Sequence, residues 1–363
     1  MKEFIKNLEI KNFKSIKHLQ LDCKRVNVLI GKPNVGKSNI LEALSILGAI
    51  YSKSYFLSEL IRYNIINDIF FDKNYYKSIE VNTDVLSATI EFNKQLTNPF
   101  TFILSKMEDR IEVVNKLKME KILNADKLIS SNPKERFYQE FTVKGEKGTR
   151  KESTLGLEFK KYLYDHEFQR DDDKISEWSQ FLSPPYGKNI FEILRTLKPL
   201  RKLISNTLKE YQLDFVYIDE KNEFVIQKNI DGEVTQFSYS SMADTFQRLF
   251  FYLAAIESNK NSILILEEPE VHSFPPYVKL LAEKIAEDID NQYFITTHSP
   301  YLLSTLLENL KDEDINIAIT YFDDFETKIK VLSPEELSEV QDFGTDLFFN
   351  LDLFIKSDGK IHS

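Results

Sequence analysis

The 363-residue sequence predicts an α/β fold built around a P-loop nucleotide-binding core. One observation is a glycine-rich loop from Gly31 to Ser38, of the form G-x-x-x-x-G-K-[ST], which lies between an apolar strand at 26–30 and a helix at 38–47. The other is a pair of continuous apolar runs, 262–266 and 292–297, separated by an amphipathic helix from Lys279 to Ile289. Such runs are typical of strands buried on both faces of a parallel sheet, in a βαβ unit.

The loop has the residues that phosphate binding requires. Its glycines let backbone N–H groups close on phosphate oxygens, Lys37 reaches the β- and γ-phosphates, and the Ser38 hydroxyl binds Mg²⁺. The following helix presents its N-terminus to the same phosphates. We therefore expect a nucleotide site formed by Gly31, Asn34, Val35, Gly36, Lys37, Ser38 and Asn39.

Acidic residues at the end of a later strand complete the chemistry of hydrolysis. Glu267 and Glu268 follow the apolar run at 262–266. A hydrolysing P-loop site needs one acid in the metal shell and a second carboxylate to activate water, and we assign Glu267 and Glu268 to these roles. His298 ends the next strand, where an imidazole can sense the γ-phosphate and the attacking water.

The rest of the chain predicts a second sheet and an insertion. Alternating strands begin at 4–10 and 16–21 and are followed by further strand-like runs, which indicate a mostly antiparallel β lobe. Apolar residues between Ile190 and Leu203 recur at helical spacing, interrupted by Pro199. We expect an N-terminal part of the nucleotide-binding head at 1–104, an inserted, mostly helical lobe or arm at 105–212, and a C-terminal part of the head at 213–363.

Composition excludes several classes of protein. Cys23 is the only cysteine, so an internal disulfide or an intrachain C-x-x-C zinc hook is excluded. No run approaches the roughly 18 apolar residues of a membrane span, and the first residues lack a secretory apolar core, so we expect a cytoplasmic protein without a membrane partner. The net charge is −10, yet residues 1–50 carry an excess of basic residues and 302–363 an excess of acidic ones. A basic lobe could face the phosphates of a nucleotide or a polynucleotide, and an acidic tail would repel them.

Four short segments together resemble a known group of ATPases. They are 12–16 (Asn-Phe-Lys-Ser-Ile), 36–39 (Gly-Lys-Ser-Asn), 267–272 (Glu-Glu-Pro-Glu-Val-His) and 296–299 (Thr-Thr-His-Ser). The combination is similar to the ABC-type ATPases of the RecF, Rad50 and SMC group. It resembles more closely the overcoming-lysogenization-defect (OLD) ATPases and the stand-alone ATPases of anti-phage systems such as PARIS. The resemblance covers about 1–50 and 235–325.

That resemblance implies a composite site in a homodimer or higher homo-oligomer. Two chains stack head to tail, and each ATP with its Mg²⁺ lies between the P-loop of one chain and a serine-glycine signature helix of the other. Here the segment 239–248 holds the signature position, and Ser240 and Ser241 could cap the helix and donate to phosphate. No glycine occurs between Gly232 and Gly344, so Ala243 must make the approach that the signature glycine normally permits.

A translation-type GTPase is the rival suggested by Asn34, since the ABC-type loop usually places glycine there. Such a GTPase needs a D-x-x-G segment, and none of the ten glycines has Asp three residues before it. It also needs N-K-x-D, which no Asn-Lys pair completes. The sequence therefore disfavours a GTPase.

Other segments leave alternatives open. His272 could touch the opposite chain or the hydrolytic water, or be a packed loop residue, and 70–73 lies about where a Q-loop glutamine is expected.

The Toprim nuclease of OLD proteins is not expected in the residues after His298, which are too few for it. The acidic groups at 312–314 and 323–324 are expected in solvated turns. We therefore expect the nuclease or toxin effector to be a separate protein. A RecF-like DNA-binding ATPase and an ATP-binding scaffold with little turnover are the alternatives. The basic side chains of the inserted lobe that could touch nucleic acid or a partner are Arg195, Lys198, Arg201 and Lys202.

Overall fold

The computed structural model describes residues 4–52, 55–109, 136–151, 154–165 and 180–356. Its described part is an α/β structure with a seven-stranded sheet, a six-stranded sheet and a three-stranded sheet. This confirms the predicted fold class, a P-loop core of ABC-ATPase type beside an antiparallel β lobe.

The seven-stranded sheet is the predicted antiparallel lobe. Its order is β2-β1-β4-β5-β6-β7-β8, and every neighbouring pair is antiparallel. The strands are β1 (Asn7–Phe13), β2 (Ile16–Asp22), β4 (Ile79–Thr83), β5 (Leu86–Phe92), β6 (Phe100–Lys106), β7 (Arg136–Phe141) and β8 (Lys147–Lys151). Sequence analysis missed β8, whose residues Lys-Gly-Thr-Arg-Lys lack the apolar alternation of a half-buried strand.

The six-stranded sheet holds the P-loop and has the order β16-β15-β3-β14-β13-β9. Its strands are β3 (Val26–Ile30), β9 (Phe159–Tyr162), β13 (Ile263–Glu267), β14 (Gln292–Thr296), β15 (Ile315–Asp323) and β16 (Glu326–Val331). All neighbours are parallel except β15 and β16, which form an antiparallel hairpin. The register pairs Glu267 with Thr296 and Thr296 with Leu29, so the carboxyl ends of β13, β14 and β3 meet at one edge.

The helices cover both faces of this sheet. They are α1 (Lys37–Ser45), α2 (Ile190–Thr196), α3 (Lys198–Lys209), α4 (Asp244–Ser258), α5 (Pro275–Glu287), α6 (Pro300–Asn309), α7 (Pro334–Phe343) and α8 (Leu351–Lys356). Val28, Leu264 and Ile295 point into the core formed with α2 to α6, whereas Leu29 and Ile265 point into the core shared with α1 and the β lobe. Successive strand residues thus fill opposite cores, which explains the continuous apolar runs.

The small third sheet joins α3 to α4. Its strands β10 (Asp214–Ile218), β11 (Glu223–Ile230) and β12 (Glu233–Ser238) are antiparallel, in that order. All six residues of β12, the edge strand, are exposed. The sheet therefore carries the chain from the helical region directly to the segment 239–248.

Two helix boundaries differ from the expectation. The helix expected from Lys279 to Ile289 runs from Pro275 to Glu287, because two prolines in its first turn start it without needing backbone N–H groups. The break expected at Pro199 falls at Leu197, and Pro199 lies in the first turn of α3.

The predicted division into 1–104, 105–212 and 213–363 remains a prediction. Within the middle range, β9 pairs with β13, and buried residues of α2 and α3 join the same core as α4. Residues 110–135, 152–153 and 166–179 of the middle range lie outside the described residues. In the part of the chain that is described, no helix is long and apolar enough to cross a membrane.

Candidate nucleotide-binding site

The P-loop is held in its shape by close packing against the β15–β16 hairpin. Gly31 has φ +151° and Gly36 has φ +99°, both in the region that favours glycine. A Cβ at Gly31 would lie 2.2 Å from the Thr320 carbonyl oxygen, and one at Gly36 would lie 2.1 Å from the Thr327 hydroxyl. Both glycines are therefore needed for conformation and for space.

A chain of hydrogen bonds braces the loop from behind. The Thr327 hydroxyl donates to the Val35 carbonyl (2.9 Å) and lies 2.7 Å from the Ser15 hydroxyl. The Asn39 amide donates to the same Ser15 oxygen (2.7 Å). Asn39 was expected to contact the nucleotide, but its side-chain amide nitrogen binds Ser15 instead. Its phosphate-binding role remains a prediction.

Lys37 lies inside the loop with its ammonium on two backbone carbonyls. Its Nζ donates to the carbonyl oxygens of Gly31 (2.8 Å) and Lys32 (2.9 Å), and 6% of the residue is exposed. Burial lowers the pKa of Lys37, and the nearby Glu268 carboxylate opposes that shift. The ammonium is therefore held where phosphate oxygens would replace the carbonyls.

Ser38 and Glu267 lie together, as expected of a metal-binding pair. Burial opposes ionisation of the Glu267 carboxyl. The neighbouring Lys161, Ser38 and Arg62 nevertheless hold its pKa below the usual value. Hydroxyl and carboxylate oxygens are ligands that Mg²⁺ prefers, and Mg²⁺ takes its other ligands from phosphates and water. The described residues contain no cluster of three or more His, Cys, Asp or Glu side chains that could hold a metal ion.

Sequence analysis missed a group of buried charges next to Glu267. Arg62 donates from Nη2 to Glu267 Oε1 (2.9 Å) and from Nε to Glu42 Oε1 (2.7 Å). Glu42 is fully buried and also binds the Lys14 ammonium. Lys161 Nζ lies 3.7 Å from Glu267 Oε2, and burial lowers the pKa of Lys161 against the pull of Glu267. Two cations thus share the carboxylate that was assigned to the metal.

Signals for this group were present in the sequence but weak. Glu42 interrupts the apolar residues of α1, and Lys160 and Lys161 interrupt β9. A charge inside a buried element needs a partner. That partner could not be identified without the fold, because Arg62 and Glu267 are 205 residues apart.

Glu268 and His298 face each other beyond the strand ends. His298 Nε2 lies 3.4 Å from Glu268 Oε1. The Glu268 backbone, at φ +44°, donates its N–H toward the Thr296 carbonyl (3.1 Å), which fixes the turn after β13. Burial and the Lys37 charge lower the pKa of His298, and Glu268 opposes them. The structure therefore brings together the residues expected to act as base and γ-phosphate sensor.

The signature-like segment is an exposed turn at the start of α4. Ser240 and Ser241 are exposed, and their hydroxyls lie 2.9 and 2.8 Å from the Ser238 hydroxyl. The expected capping by either serine is wrong, because the N-cap of α4 is Ala243 and makes no side-chain cap. Ala243 has φ −55° and ψ 136°, which any residue adopts, so only its Cβ, and not backbone strain, distinguishes it from glycine.

His272 is exposed, so it is not a packed loop residue, and its contact with an opposite chain remains a prediction. The His272 carbonyl accepts from the Thr245 hydroxyl (2.6 Å), and its Nδ1 lies 3.8 Å from Asp244 Oδ2, so it lies beside the signature-like turn of its own chain. Phe70 is buried against Phe13. No glutamine occurs at 70–73, and Arg62 is the residue of this loop region that contacts Glu267.

The remaining charged segments lie in solvent. Asp312 and Glu313 are exposed in the turn before β15, and Asp323 and Asp324 are exposed at the β15–β16 turn, as expected. Arg195 lies over the Tyr217 ring and 3.5 Å from Asp219. The basic residues considered for contact with nucleic acid or a partner are exposed or half-buried on α2 and α3. They are Arg195, Lys198, Arg201 and Lys202.

Comparison with known proteins identifies a family for most of the chain. Residues 26–304 match the family model described as "AAA domain, putative AbiEii toxin, Type IV TA system", a span that includes the P-loop, Glu268 and His298. The uncharacterized protein MJECL10 of Methanocaldococcus jannaschii is 32% identical over 93 residues, which are 25% of this chain and 42% of that protein. The matched stretch therefore covers less than half of that relative.

Two of the solved structures with a similar fold are SMC heads. One is the SMC head bound to the C-winged helix domain of ScpA, with a TM-score of 0.50 and 16% identity, covering 93% of this chain and 100% of that one. Another is the SMC head domain from Thermotoga maritima, with a TM-score of 0.43 and 13% identity, covering 91% and 100%. The first of these supports the fold of the chain.

Proposed function

Because the chain belongs to this family of AAA domains, an ATPase class with an ABC- or SMC-like core, we propose that it binds ATP with Mg²⁺ and hydrolyses it. The observation that carries the proposal is the Glu268–His298 pair, 3.4 Å apart, beside the buried Lys37 ammonium. Residues from β3, β13 and β14 meet only because the three strand ends share one edge of the sheet. Ligands of parallel sheets bind at this edge.

Each side chain then has a role in phosphoryl transfer to water. Lys37 exchanges its two carbonyl partners for β- and γ-phosphate oxygens, and the backbone N–H groups of 34–38 close on the phosphates. Ser38 and Glu267 would hold Mg²⁺, which neutralises charge on the β- and γ-oxygens. Glu268 accepts a proton from the attacking water, and His298 orients that water against the γ-phosphate.

We further propose that a second copy of the chain completes the site. Ser240 and Ser241 are exposed at the start of α4, where hydroxyls and backbone N–H groups can meet a phosphate on another chain. The other motifs of this chain are those of a head-to-tail ATPase, and closure on ATP would control a separate effector. The family description, which names a toxin and a type IV TA system, favours an anti-phage setting of the OLD or PARIS kind, with a nuclease or toxin as effector.

Replacing the proposed base tests the activity. We expect Glu268→Gln to slow ATP hydrolysis by about 10²- to 10⁴-fold while leaving ATP binding within about threefold, because a general base contributes to the transition state and not to affinity. Asp324→Asn is the matched control, since it removes an exposed carboxylate at the β15–β16 turn, and it should hydrolyse ATP at the wild-type rate. Hydrolysis that is unchanged by Glu268→Gln would contradict the proposal.

A scaffold that binds ATP with little turnover is the second candidate, favoured by the Cβ of Ala243 at the signature position. ATP-dependent assembly without phosphate release in the wild type would support it. A RecF-like role would instead give binding to duplex DNA that weakens steeply with salt.

A further inference from the structure

Glu270 is a buried carboxyl next to the proposed catalytic pair that has no role in the chemistry described above. It lies two residues after Glu268 and is 8% exposed. Its Oε1 accepts a hydrogen bond from the Thr297 hydroxyl (2.6 Å) and another from the His298 backbone N–H (2.9 Å). One carboxylate oxygen therefore holds two consecutive residues at the end of β14.

The second oxygen of Glu270 has no such partner. Oε2 is buried and, within the described residues, makes no hydrogen bond. Burial raises the pKa of Glu270, against the hydrogen bonds from Thr297 and His298. A buried carboxylate oxygen without a donor costs free energy, so its retention next to a reactive centre calls for an explanation.

One face of α4 carries polar residues, of which Tyr252 lies within electrostatic range of Glu270. Tyr252 is fully buried and interacts with both Glu270 and Arg248. Arg248 lies 3.8 Å from Asp244, and its Nε is buried without a hydrogen bond among the described residues. Asp244, Arg248 and Tyr252 are spaced four residues apart and form one polar stripe along the helix.

We propose that Glu270 is a positioning residue, which fixes the backbone of His298 opposite Glu268 through Oε1. The inference deepens the proposed ATPase function and rests on it.

Two substitutions of Glu270 distinguish a positioning role of its hydrogen bonds from a role of its negative charge in ATP hydrolysis. Glu270→Ala should lower kcat for ATP hydrolysis by about 10- to 100-fold, because small displacements of a reacting group have effects of this size. KM should stay within about threefold, since no nucleotide contact is removed. Glu270→Gln keeps an oxygen for both donors and should retain hydrolysis within about threefold of wild type.

A double-mutant cycle with His298 decides the inference. If Glu270 acts through His298, Glu270→Ala combined with His298→Ala should hydrolyse ATP no more slowly than His298→Ala alone. If Glu270→Ala fails to fold, Glu270→Asp takes its place in the cycle. This variant shortens the side chain but keeps the charge, and it should show the same non-additivity. Thermal melting and ATP binding of each variant check folding.

The possible results have distinct meanings. Additive losses in the cycle, or equal losses for Glu270→Gln and Glu270→Ala, would overturn the positioning role and leave the ATPase proposal standing. A folded wild-type chain that binds ATP without hydrolysing it would overturn the proposed function, and this inference with it.

Discussion

The two halves of the proposed ATP site differ in how many of their residues are buried and hydrogen-bonded in a single chain. On the P-loop side, Lys37 and Val35 are buried, and Ser15, Asn39 and Thr327 brace the loop through hydrogen bonds. On the signature-like side, the corresponding residues lie in solvent: Ser240, Ser241 and Ala243. The P-loop half therefore has a fixed conformation in the single chain, whereas the signature-like half is an exposed turn.

This difference suggests how the two halves divide the work. A preformed loop lets a single chain bind ATP without first ordering the loop, because the entropy has been lost in folding. An exposed turn can act only on a ligand that is brought to it. We therefore expect single chains to bind ATP and paired chains to hydrolyse it, and the following changes should affect the two halves differently.

The largest effect should come from the P-loop lysine. Lys37→Ala removes the charge aimed at the β- and γ-phosphates and should lower both ATP affinity and hydrolysis by about 100-fold or more. Lys32→Ala is the control in the same loop; its side chain is 60% exposed and pairs with Asp352, so its loss should change either quantity by less than about threefold. Isothermal titration and phosphate release measure the two quantities, and equal effects of both substitutions would contradict the role of Lys37.

A substitution in the signature-like turn should separate binding from hydrolysis. Ser241→Arg places a bulky side chain on the exposed turn and should lower kcat by about 10- to 100-fold with ATP affinity unchanged, because the obstacle lies on the surface that a second chain would cover. Asn206→Arg, on the exposed face of α3, is the matched control and should have no effect. A parallel loss of ATP affinity in Ser241→Arg would show that the turn belongs to the site of its own chain.

Two buried threonines next to the P-loop test whether the hydrogen-bonded brace stabilises the fold. Thr327→Val should lower the free energy of unfolding by about 1–3 kcal/mol, because the Val35 carbonyl loses its donor. Thr320→Val should change it by less than about 0.5 kcal/mol, because the Thr320 hydroxyl is buried without a hydrogen-bond partner among the described residues. Urea denaturation gives both values, and equal destabilisation would contradict a specific role for the Thr327 hydroxyl.

The smallest effect near neutral pH concerns His298. Its pKa is lowered from 6.5 by burial and by Lys37, so the imidazole is neutral at pH 7 and gains a proton only as pH falls through that lowered value. Protonated His298 would bind the Glu268 carboxylate as an ion pair and hinder its action as a base. We expect kcat/KM, which reports the free enzyme, to fall on the acid side of pH 6.5, and His298→Gln to lack this decrease. An identical acid limb in both proteins would assign it to another group.

Features that depend on residue spacing within a short segment could be predicted from the sequence alone. The P-loop and the apolar strands could be recognised because glycine position and strand burial leave a pattern within a few residues. Residues 267, 268 and 298 followed, since the carboxyl ends of parallel strands share an edge.

Features that depend on distant partners could not be predicted in this way. The strand β9 was missed because Lys160 and Lys161 look like surface residues, yet they are 5% and 4% exposed. Their partners, Asn259 and Glu267, come from another part of the chain. Likewise, Thr327 is 312 residues from Ser15, and nothing local indicates that it supports the P-loop.

Mixing two inactive chains tests the composite site most directly. Lys37→Ala keeps an intact signature-like turn, and Ser241→Arg keeps an intact P-loop. In a head-to-tail dimer of the two, one site combines both intact halves, so an equimolar mixture should regain about a quarter of wild-type ATP hydrolysis if chains pair at random. A mixture that remains as inactive as the separate variants would contradict the claim that a second chain completes the site.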